Sequence, residues 1–291
     1  IKEGEGKSVY PMQLAQGSTF NGFFNNYDGL ASGLQPIGVK YDDASRKVVC
    51  TLEQDDIMDG LNWLHKWYQD GIINPDANVV TDGGKGSIFG SAQGWPAAAT
   101  TWAFNAGIEK YDLTQVFGPL YTTETIQGSM NAISANSKYK TEALKVLQLM
   151  NTDSKFRDMC AYGTEGNYME YAEDGTVQKL RDDWNWPSYT QGTFFILSTQ
   201  ADGDPDAWNQ VKEQNESAVS STCLGFALDV TNIQNEIANC NTVWDKYKND
   251  LLTGASDPAT AVPACIEELK AAGLDTVIEE AQKQVDEFFA N

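Results

Sequence analysis

The chain is poor in the residues that most often carry catalysis and metal binding. It has one histidine, His65, in 291 residues. A two-histidine metal site is therefore excluded, and His65 lies in Trp63-Leu64-His65-Lys66-Trp67, a stretch that reads as the surface of a helix. Five cysteines, Cys50, Cys160, Cys223, Cys240 and Cys265, form no Cys-x-x-Cys pair, which argues against a zinc site. Their odd number leaves at least one free thiol, and they read as small buried apolar residues. Cys223 and Cys240 could pair, but spacing does not decide this. There is no P-loop, no Gly-x-Gly-x-x-Gly and no Gly-x-Ser-x-Gly. No apolar run reaches the roughly 18 residues that a membrane-spanning helix needs. The first residues, Ile1-Lys2-Glu3-Gly4, lack a signal-peptide pattern.

Positive charge is also scarce: 20 bases stand against 41 acids, a net charge of −21. Nucleic acid is excluded as a partner, because its affinity rests on Lys and Arg neutralising phosphates. Docking on anionic lipid is disfavoured for the same reason.

What the chain does have is aromatic residues set among amides, acids and glycines. Tyr162-Gly163-Thr164-Glu165-Gly166-Asn167-Tyr168-Met169-Glu170-Tyr171 carries three tyrosines, two acids, an amide and two glycines in one stretch. It has too many hydrogen-bonding groups for plain core and too many rings for a linker. A second cluster runs from Asp182 to Phe195 and includes Trp184, Asn185, Trp186, Pro187, Tyr189 and Gln191. Trp95 and Trp102 flank an irregular Pro-Ala-Thr stretch. Sugar rings present flat C–H faces to aromatic planes, and their hydroxyls need amides and carboxylates. Such clusters suit a polar ligand.

Other aromatic residues read as core. Trp63 and Trp67 lie four apart beside the apolar stripe Ile57, Met58, Leu61, Leu64 and Tyr68. Trp244 sits on a long amphipathic helix from Ile233 to Leu252. Helices are expected from Thr51, with Gln54 at the capping-box position, to a stop at Gly71, and over 141–151 and 208–217. Asp257-Pro258 reads as an N-cap with proline at N1, opening a helix that ends at Gly273. A last helix is expected over 275–289, strands at 39–52 as a hairpin, and further strands at 9–12, 117–120 and 129–134. Few strands separated by helices give an α/β class. Asp202-Gly203-Asp204-Pro205-Asp206 opens like a calcium loop, but Ala207 stands where a glycine is required. Glu165 with Asp182 or Asp183 could be imagined as a glycosidase pair, whose carboxylates must face each other across a bond. Acceptors for hydroxyls, or solvated charges, are the simpler reading.

The stretch at 162–171 resembles the Tyr-Gly-x-Glu-Gly segment of extracellular solute-binding proteins of bacterial ABC importers, in the sugar and oligosaccharide branch. Ile88-Phe89-Gly90-Ser91-Ala92 is similar to that family's Phe-x-x-Gly-x-Ala turn, and Ile133-Ser134-Ala135-Asn136-Ser137 to its helix entry, with Thr141 where proline is common. Glu267 to Phe288 resembles the end of a subgroup with a distinctive C-terminal domain. The resemblance implies a periplasmic-binding-protein-like (type II) fold of two α/β lobes, with one lobe incomplete and a helix-rich C-terminus. It implies one lobe over 1–128 (the C-lobe), a segment of the other lobe with hinge crossings over 129–190, and a C-terminal helical region packed on the first lobe over 191–291. It further implies a sugar or oligosaccharide as ligand, permease subunits as partners, a monomer, and no cofactor or enzymatic activity. The place would be the extracellular face of the membrane, with a lipid anchor on the full-length protein. Together, residues and resemblance give the ligand contacts as Trp186, Glu165, Tyr168, Asn185, Gln191, Trp95, Trp102 and Tyr27. In that reading Trp186 and Trp95 stack on rings, Glu165, Asn185 and Gln191 meet hydroxyls, and Tyr168 and Tyr27 close a cleft. A glycan-active enzyme and a non-catalytic adhesion module are the alternatives.

Overall fold

A computed structural model describes residues 4, 6, 9–82, 89–96, 98–99, 102, 109, 111–181, 183–184, 186, 188–201 and 203–290. In chain order the elements are β1 (Tyr27–Asp28), β2 (Ile37–Lys40), β3 (Val49–Cys50), α1 (Asp55–Gln69), β4 (Leu120–Tyr121) and α2 (Thr123–Ile126). They continue with α3 (Lys140–Thr152), α4 (Ser154–Tyr162), β5 (Met169–Tyr171), β6 (Val177–Lys179), α5 (Ala207–Glu216) and β7 (Val219–Ser220). Three helices end the chain: α6 (Gln234–Leu252), α7 (Pro258–Ala271) and α8 (Leu274–Phe289).

The chain forms two compact units. The first holds Ile1–Gln93, Leu120–Glu124 and Ser220–Asn291; the second holds Gly94–Pro119 and Thr125–Val219. The boundaries expected from the sequence lay at 128/129 and 190/191.

The first unit is built on a short antiparallel sheet, β1-β2-β3, and on helices α1, α6, α7 and α8. Ile37 pairs with Cys50 and Gly38 with Val49, which is the hairpin expected over 39–52. Ile57, Leu61 and Leu64 form the buried stripe of α1, at the spacing that puts them on one helix face. Ile57 and Leu61 join one continuous core, in which Leu251, Val262, Cys265, Leu269, Leu274, Val277 and Ala281 meet Leu30, Ile37 and Val39, while Leu64 packs in a separate cluster with Met12, Leu14, Ile73 and Ala77. Trp244 lies in it as expected, 3% exposed, with its indole N–H donating to Gln35 Oε1 at 3.2 Å.

The C-terminal helix signals act as their chemistry predicts. The Asp257 carboxylate accepts from Ala259 N at 3.0 Å, with Pro258 at the first helical position. Gly273, at φ 109°, turns the chain between α7 and α8, and a Cβ there would come within 2.8 Å of Glu236 Cγ. Cys50, Cys223, Cys240 and Cys265 are buried free thiols. Burial pushes them up from the ordinary value, the first three to about 11 and Cys265 to about 12.

Several local expectations are corrected. Thr51 does not cap a helix. Residues Thr51–Glu53 form a 3-10 turn, α1 starts at Asp55, and the Thr51 hydroxyl donates to Gln35 O instead. His65 is half-buried, with Nδ1 2.8 Å from Gly254 O, rather than lying free on the surface. Trp63 is not core. It is 58% exposed, because it lies about 200° around the helix from Leu61 and so falls off the buried stripe. Residues 129–134 form no strand, since the segment finds no ladder partner.

The second unit has a smaller apolar cluster. Tyr162, Met169, Val177 and Leu197 are buried together, with Phe194, Trp208 and Tyr171 packed on them. β5 and β6 form an antiparallel hairpin in which Glu170 faces Gln178. Asp153 caps α4 by accepting from Phe156 N at 3.0 Å. On α3 only Met150 is buried, while Leu144, Val146 and Leu149 lie exposed.

Candidate functional site

Helix α4 organises the candidate site. It ends at Gly163, whose φ of 90° suits glycine, and a Cβ there would fall 2.5 Å from Tyr168 Cβ. The loop that follows returns on itself, with Tyr168 N donating to Thr164 O and Gly166 N to Met169 O. This fold sorts the three tyrosines. Tyr162 is buried and its hydroxyl donates to Ser198 O at 2.8 Å. Tyr171 donates to Asp158 Oδ2 at 2.9 Å. Burial, reinforced by Asp158, pushes both hydroxyls upward, so they remain donors at neutral pH. Tyr168 is half-exposed, as is Tyr171, and Glu165 of the same loop is exposed.

Tyr168 meets Trp184, with ring centroids 5.3 Å apart at 56°. The Trp184 indole N–H donates to Cys160 O at 3.0 Å, which fixes that ring to α4. The Arg181 guanidinium lies 4.8 Å over the Tyr168 ring. The same guanidinium donates from Nε to Asp183 Oδ1 at 2.9 Å and from Nη1 to Asn167 Oδ1 at 3.5 Å. Two flat rings thus lie beside a cation, a carboxylate and an amide on one surface.

Trp186 and Gln191 are both half-buried in the next segment. The Trp186 carbonyl accepts from Ser188 N at 2.8 Å, while its indole nitrogen is buried without a hydrogen-bond partner among the described residues. Trp95 and Trp102 are brought together edge to face, 5.9 Å apart at 78°. Tyr27 belongs to the first unit, where its hydroxyl donates to Asp56 Oδ1 at 2.7 Å. Asn185 lies outside the described residues, as do Asp182, Asp202 and Ile88.

Sequence reasoning missed Arg181 and, as a ring paired with Tyr168, Trp184. An arginine set directly before two aspartates and a tryptophan was the available signal, because a planar cation serves both carboxylates and rings. Asp183 does not suit the acid of a glycosidase pair. The hydrogen bond from Arg181 holds the Asp183 carboxyl below the usual range, opposite to what a general acid needs. Among the described residues, no group of three or more His, Cys, Asp and Glu gathers to hold a metal. Asp204 instead accepts from Asp206 N and from Gln210 Nε2, in a turn leading into α5.

The first unit carries a different aromatic surface. Phe20, Phe23, Gly60, Trp63, Leu64 and Trp67 line a cleft of about 370 Å³. Apart from two indole nitrogens, its lining side chains have no polar atoms. Gly60 makes room for it, since a Cβ there would lie 2.7 Å from the Phe23 ring.

Comparison with known proteins places the fold among solute-binding proteins. Residues 222–290 match the family described as a domain of unknown function, DUF3502. A carbohydrate ABC transporter substrate-binding protein of Streptococcus pneumoniae serotype 4 (strain ATCC BAA-334 / TIGR4) is 27% identical over 283 residues, covering 92% of this chain and 57% of that protein. The crystal structure of an N-glycan transport solute-binding protein, NgtS, from Streptococcus pneumoniae superposes with a TM-score of 0.86 at 24% identity, over 100% of this chain and 66% of that one. NgtS in complex with Man1GlcNAc gives 0.81 at 26% identity, with the same coverage. The chain is thus homologous to carbohydrate ABC substrate-binding proteins and has their fold. It spans a little over half the length of the curated relative it matches, and corresponds to that protein's C-terminal part.

Proposed function

We propose that this chain is part of the extracellular solute-binding component of an ABC importer and captures an oligosaccharide for delivery to permease subunits. The observation that carries the reading is the surface formed by Tyr168, Trp184, Arg181, Asp183 and Asn167, where ring faces and hydroxyl-binding groups share one place. A sugar ring uses both kinds of group at once. Homology to carbohydrate-binding relatives and likeness to NgtS bound to Man1GlcNAc support the same ligand class.

In this reading Trp186 and the Tyr168–Trp184 pair stack on ring faces. Glu165, Asn185, Gln191 and the Arg181–Asp183 pair meet hydroxyls. Trp95 and Trp102 supply a further aromatic edge, with Tyr27 as a further ligand contact. No bond is made or broken: capture is reversible, and closure over the ligand alters the surface that the permease reads. The place of action is outside the cell, on a lipid-anchored full-length protein acting as a monomer.

A thermal-shift screen against mono- and oligosaccharides tests this. A ligand that binds only the folded state raises the Tm by an amount set by its concentration over Kd. A dose-dependent rise with one glycan class is expected. A rise with no glycan, from a chain that is folded by circular dichroism, would remove the proposal.

A further inference from the structure

Arg157 is fully buried, yet among the described residues its hydrogen bonds go to backbone carbonyls and to no carboxylate. Its Nε donates to Thr193 O and its Nη2 to Ser188 O, both at 2.9 Å. Among the described residues Nη1 is buried without a partner. The guanidinium lies 5.5 Å from the Phe194 ring. Gly192, at φ 75°, brings its backbone against this group, and a Cβ there would fall 3.0 Å from Arg157 Nε and 2.9 Å from Met150 O. Burying a cation costs stability unless its donors are used. Here they are spent on an irregular segment that has no regular backbone ladder of its own.

The next residue does the same from the other side. Asp158 is 1% exposed and accepts three hydrogen bonds: from Ser198 N at 2.8 Å, Ser198 Oγ at 2.8 Å and Tyr171 Oη at 2.9 Å. Its carboxylate therefore holds the end of the Tyr-Gly-x-Glu-Gly loop and the end of the 188–198 segment at one point. Adjacent residues on α4 point to different parts of one structure, and Cys160 O completes the set by holding Trp184.

We infer that Arg157 and Asp158 are positioning residues that set the Trp186–Gln191 segment and the 162–171 loop in the register a ligand meets. They touch no ligand themselves. The inference rests on the reading of those two stretches as sugar contacts. A core arginine that merely filled space would have no reason to direct donors at Ser188 and Thr193, which flank Gln191.

The test combines hydrogen exchange with isothermal titration, using Man1GlcNAc, the glycan bound to NgtS, as the probe. The variants are Arg157→Met, Arg157→Lys and the milder Ser198→Ala. In Arg157→Met the amides of 188–198 should exchange about tenfold faster or more, the change expected from losing a charge-assisted hydrogen bond. The amides of β5 and β6 should hold their protection. Probe affinity should fall by about the same factor at temperatures where the variant remains folded. Arg157→Lys should recover part of both effects, since one ammonium can still reach one carbonyl. If Arg157→Met does not fold, Arg157→Lys and Ser198→Ala are compared with the wild type, and both should loosen 188–198 selectively. Unchanged exchange in 188–198, or an equal rise throughout 154–216, would overturn the inference, as would full probe affinity in a variant whose segment is loosened. Failure of the wild type to bind the probe would strike the sugar reading instead, and the exchange map would still decide whether the pair positions the segment.

Discussion

The molecule carries two aromatic surfaces of opposite character. The cleft on the first unit is lined by Phe20, Phe23, Trp63, Leu64 and Trp67 and is nearly free of polar atoms. The surface on the second unit has fewer rings, but sets Tyr168 and Trp184 beside Arg181, Asp183 and Asn167. A sugar loses water from every hydroxyl it buries, so an apolar cleft would leave those groups unpaired at a cost. An apolar cleft of this kind therefore suits a sugar poorly. Ring count alone misleads; what matters is a ring face within reach of a donor and an acceptor.

The two units also differ in how they are held together. The first rests on a continuous apolar core, the second on a small cluster plus hydrogen bonds from α4. Trp244→Ala should therefore give the largest change, a loss of about 3–5 kcal/mol in urea unfolding of the first unit. A loss under 1 kcal/mol would mean that this core carries less than its burial implies.

In the second unit, Tyr162→Phe removes one hydroxyl and leaves Ser198 O without its donor. The expected loss is smaller, about 1 kcal/mol. An equal or larger loss than in Trp244→Ala would reverse the contrast between the units.

Alkaline titration separates the units by chemistry. Buried thiols in the first unit are raised above 9.0, so the stability they lend is complete below that pH and is lost as pH rises toward 11 to 12. Replacing Cys265 with alanine should flatten the fall between pH 9 and 12 in an unfolding series. A profile identical to the wild type would show that this thiol is not linked to folding.

The smallest effect concerns reactivity. Cys160 is half-buried while the other four thiols are buried. Iodoacetamide at pH 8 should label Cys160 first, read by peptide mass, because access and thiolate fraction both set the rate. Earlier labelling of Cys265 or Cys240 would show that the first unit opens more readily than the second.

How much was legible in the sequence follows the same division. The C-terminal helices announced themselves through local signals: Asp257-Pro258 at a start, Gly273 at a stop, and apolar residues at helical spacing between them. The hairpin at 37–50 was legible for similar reasons. The Tyr-Gly-x-Glu-Gly loop was visible by composition, but the separate fates of its tyrosines were not. Tyr162 and Tyr171 are consumed by partners 36 and 13 residues away, and only the folded chain reveals this. Arg157 and Asp158 were invisible as well, since each looks like an ordinary polar helix residue until its partners 13 to 40 residues on are known. Trp63 was misplaced because spacing from Trp67 was weighed without its angle from Leu61. The three arginines of the chain, Arg46, Arg157 and Arg181, all lie over aromatic rings, and their scarcity was the overlooked clue.

The most direct measurement is isothermal titration of Man1GlcNAc into the wild type, Trp186→Ala and Trp63→Ala. If the polar aromatic surface of the second unit is the sugar site, Trp186→Ala should weaken binding about tenfold or more, the cost of truncating an aromatic anchor, and Trp63→Ala should leave it unchanged. Loss of affinity in Trp63→Ala with full affinity in Trp186→Ala would contradict the account and place the sugar in the apolar cleft.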